Sequence, residues 1–107
     1  MPREKFQTLT EQMFYILLCL REECCGMDIM ERVTAMTAAR VTVGPGTLYH
    51  LLDQFCEAGM IRETKNEGRR RSYILTAKGE GALQAEVARM QAQMQDYRMI
   101  FGEEEAK

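Results

Sequence analysis

Proline and glycine are scarce in this chain of 107 residues, 2 and 8 in number, which excludes a collagenous or low-complexity polymer. With 46% hydrophobic and 28% charged residues, the chain has enough apolar surface to offset the entropy of ordering, so disorder is excluded too. At this length it forms one small domain that often needs a staple or a partner subunit. No apolar run reaches the roughly 20 residues of a membrane span. The strongest, Met13 to Leu20, follows Arg3 and Lys5 in the order of a signal peptide, but it meets Arg21-Glu22-Glu23 at once without a small-residue cleavage site. No membrane association is expected.

The four cysteines, Cys19, Cys24, Cys25 and Cys56, contain no C-x-x-C pair, no Cys/His finger spacing and no secretory framework. Free thiols in a reduced cytoplasm are therefore expected, with no metal and no cofactor. A minor alternative keeps Cys24, Cys25 and Cys56 as a soft-metal or redox-responsive site. The single histidine, His50, has no nucleophile or carboxylate partner at a telling spacing, and no phosphate-cradling glycine loop follows a strand. No catalytic residue is expected, and the chain is not read as an enzyme. An excess of positive charge is lacking as well: 14 Lys and Arg face 16 Asp and Glu, for a net charge of -2. Taken whole, that balance argues against nucleic acid. Its distribution argues the other way. Residues 62–78 hold six basic groups against two acidic ones, and phosphates within a Debye length respond to that local charge.

What is present is helical periodicity. Thr8-x-x-Glu11 has the form of a capping box, and Leu9, Met13, Ile16, Leu17 and Leu20 recur at helical spacing, giving a first helix over 9–21. Its other face carries Phe14, Leu18 and Cys19. After a break at Cys25-Gly26, Ile29, Met30, Val33 and Met36 form a second helical stripe, and Arg40 to Val43 are an extended link. Gly44 and Pro45 suit the N-cap and first position of a third helix. In it Leu48, Leu51, Leu52 and Phe55 are spaced for burial, Thr47, Tyr49, His50, Asp53, Gln54 and Glu57 point away, and Gly59 stops it. Met60 to Lys65 and Arg70 to Leu75 are strand-like, joined by Asn66-Glu67-Gly68 as a hairpin. Thr76 caps a last helix to about residue 101, where Leu83, Val87, Met90, Met94, Tyr97 and Phe101 are spaced four, three, four, three and four. Such a seam, on a helix that leaves the hairpin behind, needs another chain to pack on.

The fold expected is mainly α with a β-hairpin: a winged helix-turn-helix over 1–76, and over 77–107 a C-terminal dimerisation helix with a short acidic tail. Protein-interaction modules share this order, so function rests on the surface. The exposed start of the third helix carries Gly46, Thr47, Tyr49 and His50, where bare backbone N–H groups favour a phosphate. The hairpin adds Arg62, Lys65, Arg69, Arg70 and Arg71, suited to gripping a DNA backbone.

Gly44-Pro45-Gly46-Thr47-Leu48-Tyr49, Ala58-Gly59-Met60-Ile61 and the run Glu67-Gly68-Arg69-Arg70-Arg71-Ser72-Tyr73-Ile74-Leu75-Thr76-Ala77-Lys78-Gly79 together resemble the hallmark segments of PadR-family transcriptional regulators, in particular the small subfamily with one short C-terminal helix. Cys25, Met27 and Ser72 depart from residues common in that family. The resemblance implies a bacterial winged-helix repressor that binds a palindromic operator as a homodimer. It implies DNA contacts from Thr47, Tyr49, Arg69, Arg70 and Arg71, and a dimer built from the first and last helices. Gly46, His50 and Lys65 complete the candidate double-stranded DNA surface from the residues themselves. Met13, Leu17, Leu83, Val87, Met90, Met94, Tyr97 and Phe101 form the candidate dimer face. A small hydrophobic or aromatic effector between subunits is one reading of its methionines, and a plain interface is the other. The alternatives are an interaction module that never binds DNA and the thiol-responsive repressor.

Overall fold

The computed structural model describes residues 8–68 and 70–102. Arg3, Lys5, Arg69 and the acidic tail at 103–107 lie outside the described residues. The first helix, α1 (Glu11–Cys19), begins where Thr10, in extended backbone, turns its Oγ1 to accept from the N–H of Met13 at 3.2 Å. That bond satisfies one of the N–H groups a helix start leaves open. The expected cap, Thr8, lies two residues too early. Between the two threonines Leu9 is buried, and its N–H is held by Glu86 Oε1 at 3.1 Å, so the chain is anchored before the helix begins.

There follow a two-residue strand β1 (Cys24–Cys25), α2 (Gly26–Met36), α3 (Pro45–Glu57), β2 (Ile61–Glu67), β3 (Arg70–Leu75) and α4 (Ala77–Phe101). Gly26 opens α2 rather than breaking the chain. The hairpin is there, with one strand more than expected: the sheet is antiparallel in the order β1-β3-β2, with Cys24 opposite Tyr73 and Cys25 opposite Ser72. A two-residue strand has no period to detect, and its pairing partner lies far along the chain. The result is a mainly helical winged helix-turn-helix.

Ile16, Leu17, Leu20, Ile29, Val33, Leu48, Leu52, Phe55 and Tyr73 are fully buried in one core between the helices and the sheet. Burying each such side chain contributes about 1.5–3 kcal/mol before entropy is counted. Leu17, expected on a dimer face, is a core residue, because α1 turns Leu17 inward and leaves its neighbour Leu18 exposed.

Helix α4 starts as the sequence suggests. Thr76 Oγ1 accepts from the Gly79 N–H at 3.2 Å and donates to the Gly59 carbonyl at 2.7 Å. Gly79 is required by close approach: a Cβ there would lie 2.1 Å from the Met60 carbonyl oxygen. The helix buries Gly79, Leu83 and Glu86 and then leaves the domain. The radius of gyration is accordingly 15.7 Å, against about 13 Å for a compact chain of this length.

Candidate nucleic-acid interface

The turn between α2 and α3 sets the geometry of the exposed surface. Thr37, 2% exposed, donates from Oγ1 to the Val33 carbonyl at 2.8 Å and accepts from the Val41 N–H at 3.0 Å. Ala38 and Ala39 then take left-handed backbone, with φ of 51° and 63°, a conformation that costs about 1–2 kcal/mol for a residue with a Cβ. The cost is met by the anchors on either side. Ala39 N–H reaches the Thr34 carbonyl at 2.8 Å, Val41 and Val43 are buried, and Gln12 holds the Thr42 carbonyl at 2.9 Å. Alanine gives no turn signal, so neither this bend nor the role of Thr37 was legible in the sequence.

Gly44 and Pro45 occupy the N-cap and first turn of α3 as expected. Leu48, Leu51, Leu52 and Phe55 are buried, while Gly46, Thr47 and His50 are exposed. Among the described residues a Cβ added at Gly44 or Gly46 would meet nothing within 4 Å, so the backbone is open at these two positions of the helix start. The N–H groups of its first turn are therefore available to an anion. Tyr49 differs from expectation. It is half-buried rather than outward, and its phenol lies against Gly26: a Cβ on Gly26 would meet Tyr49 Oη at 2.5 Å. Glycine at the start of α2 thus makes the seat for the α3 tyrosine, and Tyr49 locks the two helices while bringing its hydroxyl to the α2 N-terminus.

The wing cations fall into two groups. Arg62 and Arg70 are exposed. Lys65 lies 3.7 Å from Glu23, and Arg71 donates from Nη2 to Glu63 Oε1 at 2.7 Å, with its guanidinium carbon 5.8 Å from the centre of the Tyr73 ring. The partners Glu23 and Glu63 were not singled out from sequence. Glu63 sits opposite Tyr73, and the irregularity at Thr64 puts Asn66 opposite Arg71, so the Glu63–Arg71 pair is a diagonal one that regular strand counting does not predict.

On α4, Val87, Met90, Met94, Tyr97 and Phe101 form an exposed seam, 37–58% accessible, with Tyr97 and Phe101 stacked at 4.9 Å. Leu83 is instead packed into the domain and Met13 is half-buried. At the root of the seam, Leu18, Arg21, Leu75, Glu80 and Leu83 line a groove of about 380 Å³. All four thiols are free. Burial pushes Cys24 up to about 11, and burial likewise raises Cys19 and Cys56, so none of these three is readily a thiolate at neutral pH. Among the described residues no group of three or more His, Cys, Asp and Glu is placed to hold a metal ion, and no helix is long and apolar enough to cross a membrane.

This arrangement is found in solved structures. A transcriptional regulator from Clostridium thermocellum aligns with a TM-score of 0.70 at 16% identity, over 83% of this chain and 90% of that one. RosR from H. salinarum aligns at 0.68 and 22% identity over 92% and 94%. A PadR family transcription regulator from Clostridium difficile aligns at 0.65 and 20% identity over 83% and 98%. At these identities the likeness is one of fold. No curated protein sequence matches the chain. Residues 16–85, from the middle of α1 into α4, match the transcriptional regulator PadR-like family. With the match spanning well over half its length, the chain belongs to the PadR-like family of transcriptional regulators.

Proposed function

We propose that this chain is a sequence-specific DNA-binding regulator of the cytoplasm, without catalytic activity, that represses transcription as a homodimer on a palindromic operator. The observation that carries the reading is an uncovered α3 N-terminus joined, in one small domain, to a wing with exposed arginines. Gly46 lets phosphate approach the backbone, and Thr47 and His50 present polar groups to the groove. The Tyr49 hydroxyl, at the start of α2, reaches a neighbouring phosphate. Arg69 and Arg70 hold the DNA backbone at the wing, and Lys65 joins them by exchanging Glu23 for phosphate. Residues 1–76 bind DNA, and 77–107 bring two chains together through Val87, Met90, Met94, Tyr97 and Phe101. Half-sites then lie about one helical turn, roughly 10 base pairs, apart. A small hydrophobic or aromatic effector between the adaptable Met90 and Met94 faces would shift the separation of the two α3 helices and release the operator.

The test compares DNA upstream of the chain's own gene with scrambled DNA in a gel-shift titration. Arg69→Ala with Arg70→Ala should weaken binding to both alike, and Tyr49→Phe should weaken the specific complex by a smaller factor. An unchanged affinity in the double variant would remove the wing from the interface. A well-folded dimer that binds neither DNA would leave the protein-interaction reading.

A further inference from the structure

Arg71 differs from its neighbours on the wing. The wing is only two strands wide at its tip, since β1 pairs with Ser72 and Tyr73 alone, and it is interrupted at Thr64. A hairpin tip with one neighbour is marginally stable, and a bulge bends it further. Glu63 lies on the domain side of the interruption and Arg71 beyond it, opposite Asn66. Their 2.7 Å bond therefore spans the bulge, and among the described residues it is the only ion pair that joins the two wing strands. The Arg71 guanidinium also packs by the ring of Tyr73, which is wholly buried under the sheet. Asp53, on the outer side of α3, adds to the negative field around it. A guanidinium neutralised by a carboxylate offers little net charge to a phosphate.

We infer that Arg71 is not a phosphate contact but a positioning residue, which holds the two wing strands together by bridging Glu63 and Tyr73 across the Thr64 bulge. The inference rests on the regulator reading above and divides its wing arginines into two roles. It also fixes the sign of one substitution. If Arg71 touched phosphate, neutralising Glu63 would free a cation and tighten binding. If Arg71 positions the wing, the same change loosens the tip and weakens binding.

The experiment measures affinity and its salt dependence for the full chain on DNA upstream of its own gene, with folding checked by circular dichroism. Arg70→Ala should lower the salt slope by about one per subunit. Glu63→Gln should weaken binding about tenfold with the slope nearly unchanged. Arg71→Lys and the exchanged pair Glu63→Arg with Arg71→Glu should both recover to within about threefold of the parent, because each can remake the bridge. Glu63→Gln binding as tightly as the parent or tighter, or an exchanged pair no better than Arg71→Ala, overturns the inference. A parent protein that does not distinguish its own upstream DNA from scrambled DNA overturns the regulator reading as well, so the two failures are told apart.

Discussion

The chain treats apolar residues in opposite ways in its two regions. From Leu9 to Leu83 most are packed inward, with Leu18, Met27 and Met36 left exposed, and seven aliphatic and aromatic side chains of α1, α2 and α3 are wholly removed from solvent. Beyond Glu86 the same kinds of side chain, Val87, Met90, Met94, Tyr97, Met99, Ile100 and Phe101, are all exposed. The residues are chemically alike, and what differs is the presence of a neighbouring element. Exposed apolar surface of this extent marks an interaction site. The first region thus buries its own apolar side chains, and the second leaves an exposed apolar seam.

Substitutions can break that contrast. Leu52→Ala, in the core, should cost about 2–5 kcal/mol of unfolding free energy in a urea melt, a large part of the stability of a small domain. Gly79→Ala should cost about 3 kcal/mol, since the new methyl meets the Met60 carbonyl rather than a side chain that could swing away. A melt like that of the parent for either would mean that the first region is looser than its packing implies. Met94→Asp should leave the subunit fold intact and yield monomers by light scattering. A persistent dimer would place the interface elsewhere. The smallest effect is at Cys24. Burial raises its folded value to about 11 from 9.0, so the neutral thiol is the favoured form, and its stabilisation is complete below pH 9 and lost as pH rises through 11. Tyr73, also raised by burial, contributes in the same direction. Urea midpoints should fall from pH 9 to pH 11, less so in Cys24→Ala, and slow alkylation of Cys24 at pH 7.5 should accompany this. Rapid alkylation would revive the thiol-responsive alternative.

Where a signal was local and periodic, the sequence was a good guide. Leu48, Leu51, Leu52 and Phe55 follow a helical period, Gly44-Pro45 suits only a helix start, and Gly59 takes the left-handed backbone (φ 78°) that its stop position requires. Where two distant segments decide a residue's role, the pattern was silent. Leu17 and Leu18 are both good leucines on one helix, and only the placement of α2, α3 and α4 decides which is buried. Glu86 is a carboxylate that reads as solvent-facing on α4, yet it is 4% exposed, accepting from the Leu9 N–H and pairing with Arg89. The same holds at the interface. The glycines and arginines were legible by type and position, whereas the pairing of Lys65 with Glu23 and Arg71 with Glu63 depends on strand register and a bulge.

The most direct test of the account is the affinity of the full chain for DNA upstream of its own gene at about 50 and about 200 mM salt. The three cations proposed to meet phosphate, Lys65, Arg69 and Arg70, make six in a dimer and give a slope of about -5.4, and so a loss on the order of a thousandfold between those conditions. Two chains per operator and a loss of that order are what the account predicts. A folded protein that binds this DNA no better than unrelated DNA, or whose binding is indifferent to salt, would contradict it.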